Sequence, residues 1–118
     1  MLREVLIGKI HRAVVTDANL DYEGSITIDE SLLATAGILP YQVVQIWDVT
    51  SGNRLNTYVI PTNTVGVVCI NGAAAHLIKK KDIIIIAAYG YMSDEELNNY
   101  EPKIVFVNNN NSIVGVEG

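Results

Sequence analysis

The sequence predicts one mainly β domain, a small barrel or sandwich interrupted by two short helices. Three observations carry this. Short alternating or β-branched runs recur along the whole chain. Turn residues separate them at the intervals a small barrel or sandwich has. At 118 residues, 49% hydrophobic and 18% charged, the chain has the length of a single domain that can bury a core.

The predicted strands run from Glu4 to Ile10, Ala13 to Thr16, Ser25 to Ile28, Val43 to Val49, Leu55 to Ile60, Val65 to Ile70, Asp82 to Ala88 and Ile104 to Val107. Turn signals stand at Asp21, Gly24, Ser51-Gly52-Asn53, Pro61 to Asn63 and Asn71-Gly72, the last a hairpin turn when read on its own. Asp29 caps a helix over Glu30 to Ala36, which Gly37 ends as its C′ residue with Pro40 beyond. Ser93 and Glu96 form a capping box that opens a second helix, Asp94 to Asn99. Both are too brief to be the crossover helices of an alternating α/β chain. The polar run Asn108-Asn109-Asn110-Asn111-Ser112 predicts a frayed, loosely attached end. No internal repeat is present.

Composition excludes several classes. The net charge is −5 and the basic residues are scattered apart from Lys79-Lys80-Lys81, so a nucleic-acid partner, including DNA bound by a swapped-hairpin dimer, is not expected. The lysine triplet precedes Ile83-Ile84-Ile85-Ile86 and reads as a solvated turn guarding a sticky strand. No apolar run approaches the ~18–20 residues of a membrane span, and Met1-Leu2-Arg3-Glu4 lacks a signal-peptide pattern, so a cytoplasmic protein with no membrane contact is expected. A single cysteine, Cys69, rules out an intrachain disulfide and reads as a small buried hydrophobe. His11 and His76 are too far apart to suggest zinc, and no metal is expected.

Chemistry is concentrated at Tyr22-Glu23-Gly24-Ser25. A hydroxyl on the residue after a carbonyl reaches it through a five-membered ring, so Ser25 can attack Gly24 and turn the peptide into an ester. β-Elimination then leaves a dehydroalanine that hydrolyses to a pyruvoyl group, and the chain has built its own electrophile. Gly24 can take backbone angles that other residues resist, and strain before Ser25 would lower the barrier. A Gly-Ser pair alone more often marks a turn, so the rest of the chain has to support the assignment.

It does so through an ordered set of segments: Gly8-Lys9-Ile10-His11-Arg12, Tyr22-Glu23-Gly24-Ser25, Ala36-Gly37-Ile38-Leu39, Ile46-Trp47-Asp48-Val49-Thr50, Gly52-Asn53-Arg54, Thr57-Tyr58 and Asn71-Gly72-Ala73-Ala74-Ala75-His76. By these the chain resembles the pyruvoyl-dependent aspartate 1-decarboxylases, which make β-alanine for pantothenate synthesis. The C-terminal section matches more loosely, and Thr62 to Gly66 is one residue shorter than the family pattern. The resemblance implies a six-stranded double-psi β-barrel, assembled as a homotetramer with active sites shared between neighbouring subunits. It also implies cleavage into residues 1–24 and 25–118, the second chain beginning with pyruvoyl.

Roles follow from the resemblance position by position. Ser25 becomes the pyruvoyl, whose ketone condenses with the substrate amine as a Schiff base and takes up the electron pair released with CO₂, the task of pyridoxal phosphate elsewhere. Neither pyridoxal phosphate nor metal is then required. Thr57 supplies a donor to the oxyanion of self-cleavage. Tyr58, whose phenol carries an O–H, delivers the proton to the α-carbon. Arg54 meets one carboxylate of L-aspartate and Lys9 either sits near the second or steers the α-amine, Thr57 also binds substrate, and Asn71, Gly72, Ala73 and Ala74 form a turn that lets substrate approach. His11 is a further candidate near the site, and Tyr22 one beside the cleavage point; Trp47 reads as a core or subunit-interface residue. A helper protein for maturation stays open. From a different class, the alternative is a non-catalytic β-barrel module that binds a ligand or partner and keeps Gly24-Ser25 uncut.

Overall fold

The computed structural model describes residues 1–118. Nine strands form: β1 (Leu2–Val14), β2 (Asp17–Asn19), β3 (Ser25–Asp29), β4 (Val43–Asp48), β5 (Arg54–Thr62), β6 (Val68–Asn71), β7 (Ile83–Ser93), β8 (Lys103–Val107) and β9 (Ile113–Glu117). Two α-helices, α1 (Glu30–Ala36) and α2 (Asp94–Asn98), and a 3₁₀ helix over Gly72–His76 interrupt them. Mainly β structure with two short helices is what the sequence predicts.

The strands join in one ladder of order β2-β6-β3-β5-β4-β7-β1-β8-β9. β1 and β2 are separated only by Val15 and Thr16, yet they pair towards opposite ends of that ladder. The chain bends between them, where Val15 N donates to Asp82 O (2.9 Å) and Thr16 N to Val68 O (2.8 Å).

Alternation decides which face is buried. Ile26 and Ile28 of β3, Val44 and Ile46 of β4, Val59 of β5, Val68 and Ile70 of β6, and Ile84, Ile86 and Ala88 of β7 enter one core with Ile10, Leu32, Leu33 and Val105. Each fully buried Ile or Leu contributes about 1.5–3 kcal/mol of burial free energy, which makes a one-residue slip of register prohibitive. Both helix caps form as expected. Asp29 Oδ1 accepts from Ser31 N (2.9 Å), Gly37 closes α1 at φ 72°, and Ser93 and Glu96 complete their capping box.

Several boundaries differ from expectation. The first two predicted strands are one, because Arg12 takes φ 64° and absorbs an irregularity between Ile10 and Ala13 without ending the ladder. β6 starts at Val68, since Gly66 turns the chain at φ 80°. β7 continues past Ala88 to Ser93 by pairing with Leu2 to Leu6. Asn71-Gly72 is no hairpin turn: β6 runs into the 3₁₀ helix and pairs with the much earlier β3.

The expectation of a frayed end is also overturned. β9 pairs antiparallel with β8, and Asn111 is 2% exposed. Its Oδ1 accepts from Val14 N (2.7 Å), and its Nδ2 donates to Val14 O and Gly66 O (2.9 Å each), replacing the strand partner β1 lacks at its bend. Lys79, Lys80 and Lys81 are exposed in a turn, as expected. No helix is long and apolar enough to cross a membrane.

Candidate active site

β3 and β6 run antiparallel with Ser25 opposite Asn71 and Thr27 opposite Cys69. Since Ile26, Ile28, Val68 and Ile70 turn inward, the period of two sends Ser25, Thr27, Cys69 and Asn71 to the other face. There they form one network. Asn71 Nδ2 donates to Ser25 Oγ (3.0 Å) and Thr27 Oγ1 (2.9 Å), Cys69 Sγ donates to Asn71 Oδ1 (3.3 Å), and Ser25 Oγ–H points to Glu23 O (3.4 Å). Ser25 and Asn71 are 2% and 5% exposed, so bulk water does not satisfy them.

The 3₁₀ helix after Asn71 packs onto the Gly24-Ser25 connection. Gly72 has φ 74°, and a Cβ there would lie 2.7 Å from Gly24 Cα and N and 2.9 Å from Tyr22 O. Gly24 behaves otherwise. It has no left-handed φ, and a Cβ on it would meet open space, so the glycine requirement inferred for Gly24 from strain belongs to Gly72. Ala73 is exposed and Ala74 packs against the core, both within the helix and not in a turn.

Parallel pairing of Ile26 with Val59 sets the next candidate. The residues before this inward-facing pair are Ser25 and Tyr58, so Tyr58 shares the face of Ser25. Its ring stacks on Tyr41 at 6.5 Å. Thr57 pairs with buried Val44 and turns to the opposite side from Tyr58.

Further along β5, Asn56 and Arg54 continue the face of Tyr58 opposite Gln45 and Trp47. The Arg54 guanidinium lies over the Trp47 ring at 5.0 Å, in a groove of about 520 Å³ lined also by Glu4, Gln45, Asn56 and Tyr89. Arg54 is four residues from Tyr58, roughly 13 Å at strand spacing. Lys9 pairs with Ala87, which pairs with Gln45, so it too is on this face. It is four ladder steps from Ser25, roughly 19 Å along the sheet. One chain therefore brings Ser25, Asn71 and Tyr58 to one region, while Arg54 and Lys9 stand further along the same face of the sheet.

The remaining candidates divide. His11 sits edge-on to Phe106 at 5.5 Å with Nδ1 buried and unpartnered; burial first, then the charges of Lys9 and Arg12, pull its pKa down. Tyr22 is 61% exposed in the loop before the cleavage point. Cys69 is half-buried rather than buried, because it belongs to the network face and not the core; burial, then Asp17, raises its thiol pKa.

The family model for aspartate decarboxylase matches residues 1–114. The chain belongs to the aspartate decarboxylase family. Among its relatives, the aspartate 1-decarboxylase of Thermoanaerobacter pseudethanolicus is 51% identical over 117 residues, 98% of this chain and all of that protein. Those of Clostridium beijerinckii and Bacillus subtilis are 52% and 50% identical over 114 residues, covering 96% of this chain and 92% and 90% of theirs.

For this member of the aspartate decarboxylases, sequence reading missed Thr27 and Cys69 as partners of Asn71. The signal was present. Ser25 and Thr27, and Cys69 and Asn71, alternate with large aliphatic residues on two predicted strands, which marks a polar face.

Proposed function

We propose that this chain is a self-processing aspartate 1-decarboxylase, turning L-aspartate into β-alanine and CO₂ on a pyruvoyl group made from Ser25. One observation carries the reading: a buried Ser25 hydroxyl that accepts from Asn71, on the residue directly after Gly24, in a chain about half identical to curated aspartate 1-decarboxylases. The family membership leaves nothing to favour the uncut binding module.

Self-processing needs only residues of the chain and water. Ser25 Oγ attacks the Gly24 carbonyl carbon, the C–N bond breaks, and the hydroxyl proton passes to the nitrogen. Thr57 is assigned to the oxyanion on the resemblance alone. Elimination frees residues 1–24 with a carboxylate at Gly24, and hydrolysis, with ammonia released, leaves residues 25–118 with a pyruvoyl end.

The residues present fit that group: position 25 is serine, it is buried, and its neighbours Asn71 and Thr27 are neutral donors and acceptors. When formed, pyruvoyl supplies a ketone for the substrate amine and a sink for the electron pair that CO₂ leaves behind. Tyr58 Oη holds the proton destined for the α-carbon, in place on the face of Ser25. Arg54 presents a planar fork to one carboxylate, its stem steadied on Trp47, and Lys9 a point charge to the other. With a net charge of −5, such local cations must win aspartate, because screening over about 8 Å removes longer-range repulsion. Asn71, Gly72, Ala73 and Ala74 border the approach, with His11 and Tyr22 in accessory roles.

Arg54 stands four residues along β5 from Tyr58, and Lys9 four ladder steps from Ser25, a spread along the sheet that supports sites completed by a neighbouring copy in a homotetramer. The bend that joins β1 to β2 across the ladder supports closure as a six-stranded double-psi barrel, with the outer strands as additions. A single half-buried cysteine suits a reducing cytoplasm. Incubation with L-aspartate and no added cofactor tests the activity: β-alanine and CO₂ in equal amounts are expected, and no β-alanine from fully cleaved protein would refute it.

A further inference from the structure

The buried side-chain amide of Asn71 has two faces, and its neighbours select which one meets Ser25. Nδ2 serves both Ser25 Oγ (3.0 Å) and Thr27 Oγ1 (2.9 Å), while Oδ1 takes the Cys69 thiol (3.3 Å). Building on the self-processing proposed above, we propose that Thr27 and Cys69 are positioning residues for that reaction. Together they hold Asn71 with its NH₂, not its carbonyl oxygen, against Ser25 Oγ.

Hydroxyls of Ser25 and Thr27 donate or accept equally well, so by themselves they leave the amide free to flip. Cys69 breaks the tie. Burial, then Asp17, keeps the thiol protonated, and a thiol is a better partner for a carbonyl oxygen than for an N–H. Thr27 adds a second acceptor on the Nδ2 side. At 5% exposure Asn71 is shielded from the bulk water that would otherwise replace either partner.

The orientation matters because Oγ changes character through the reaction. As the Oγ–C bond to Gly24 forms and the C–N bond breaks, the hydroxyl proton leaves for the nitrogen and Oγ becomes an ester oxygen, which can only accept. In the elimination the Cα proton of residue 25 passes to solvent, the Cβ–Oγ bond breaks, and the electron pair departs on Oγ as the Gly24 carboxylate. An N–H facing Oγ complements the ester and the departing carboxylate, whereas a flipped amide would set lone pair against lone pair from the ester onward.

The test follows the appearance of residues 1–24 and 25–118 by denaturing mass spectrometry in freshly purified full-length chain. Thr27→Val and Cys69→Ala should be cut roughly tenfold more slowly than the parent, the scale of one hydrogen bond. Thr27→Ser and Cys69→Ser, which keep a donor and acceptor, should restore cutting to within about threefold of the parent, less than one such bond. Thermal melts establish that each variant folds; should Thr27→Val not fold, the Cys69 pair decides. Parent-like cutting of the Val and Ala variants would overturn the proposal, as would Ser variants as slow as these, which would mean packing alone. A parent that is never cut would refute self-processing itself.

Discussion

The backbone of Gly72 lies against that of Gly24, so close that a Cβ on Gly72 would come within 2.7 Å of the Gly24 Cα. This contact seats the 3₁₀ helix on the connection that carries the cleavage bond, and it fixes where Asn71 stands relative to Ser25.

Gly72→Ala is accordingly expected to be severe. The left-handed φ of 74° costs a non-glycine residue about 1–2 kcal/mol, and forcing the backbones apart about 1–3 kcal/mol more. Gly24→Ala, with open space and an ordinary φ, should unfold within about 1 kcal/mol of the parent. Denaturant titration of both checks the contrast, and equal losses would contradict it.

Ser25 and Tyr58 separate maturation from turnover. Ser25→Ala should stay a single chain without activity, and β-alanine from it would exclude the pyruvoyl route. Tyr58→Phe should be cut normally and lose at least about a hundredfold in kcat, the lower range for a general acid. Near-parental kcat would remove Tyr58 as proton donor.

Asn111→Ala tests the role of the C-terminal section. Three hydrogen bonds to Val14 and Gly66 are lost from a buried position, at about 1 kcal/mol each. Unfolding free energy should fall by about 3 kcal/mol; a change below about 0.5 kcal/mol, the size typical of a surface site, would show the end to be dispensable.

Asp48 gives a pH signature. Its Oδ2 is buried without a hydrogen-bond partner; burial first, then the neighbouring Asp82 carboxyl, raises its pKa. A carboxyl with a raised folded pKa contributes its stability in full below the unfolded value of ~3.9 and loses it as pH rises through the folded value. His11, lowered by burial and then by Lys9 and Arg12, runs the other way, losing its contribution as pH falls from ~6.5 through its folded value. The difference between parent and Asp48→Asn isolates the first. The variant should gain stability relative to the parent as pH is raised from about 4 to 7, and a constant difference would contradict the assignment.

Most strands, both helix caps and the Gly24-Ser25 bond were legible because each is a local pattern: alternation, a capping residue, two adjacent residues. Where long-range partners decide, the sequence was silent. Nothing local in the asparagine run distinguishes Asn111, whose importance comes from the gap that β1 leaves at its bend. Likewise Asn71-Gly72 has the composition of a hairpin turn, but β3 claims Asn71, and the approach of Gly24 demands the glycine. Tyr58 was named through family resemblance; its place on the face of Ser25 comes from a parallel pairing that no short window of sequence contains.

The central claim is tested most directly by the intact masses of folded protein aged at neutral pH, alongside its turnover of L-aspartate. Two polypeptides should appear, residues 1–24 ending in a carboxylate and residues 25–118 with a keto-acyl start that resists N-terminal sequencing, and β-alanine production should rise in step with them. A protein that releases CO₂ from aspartate while remaining one uncut chain would contradict the account.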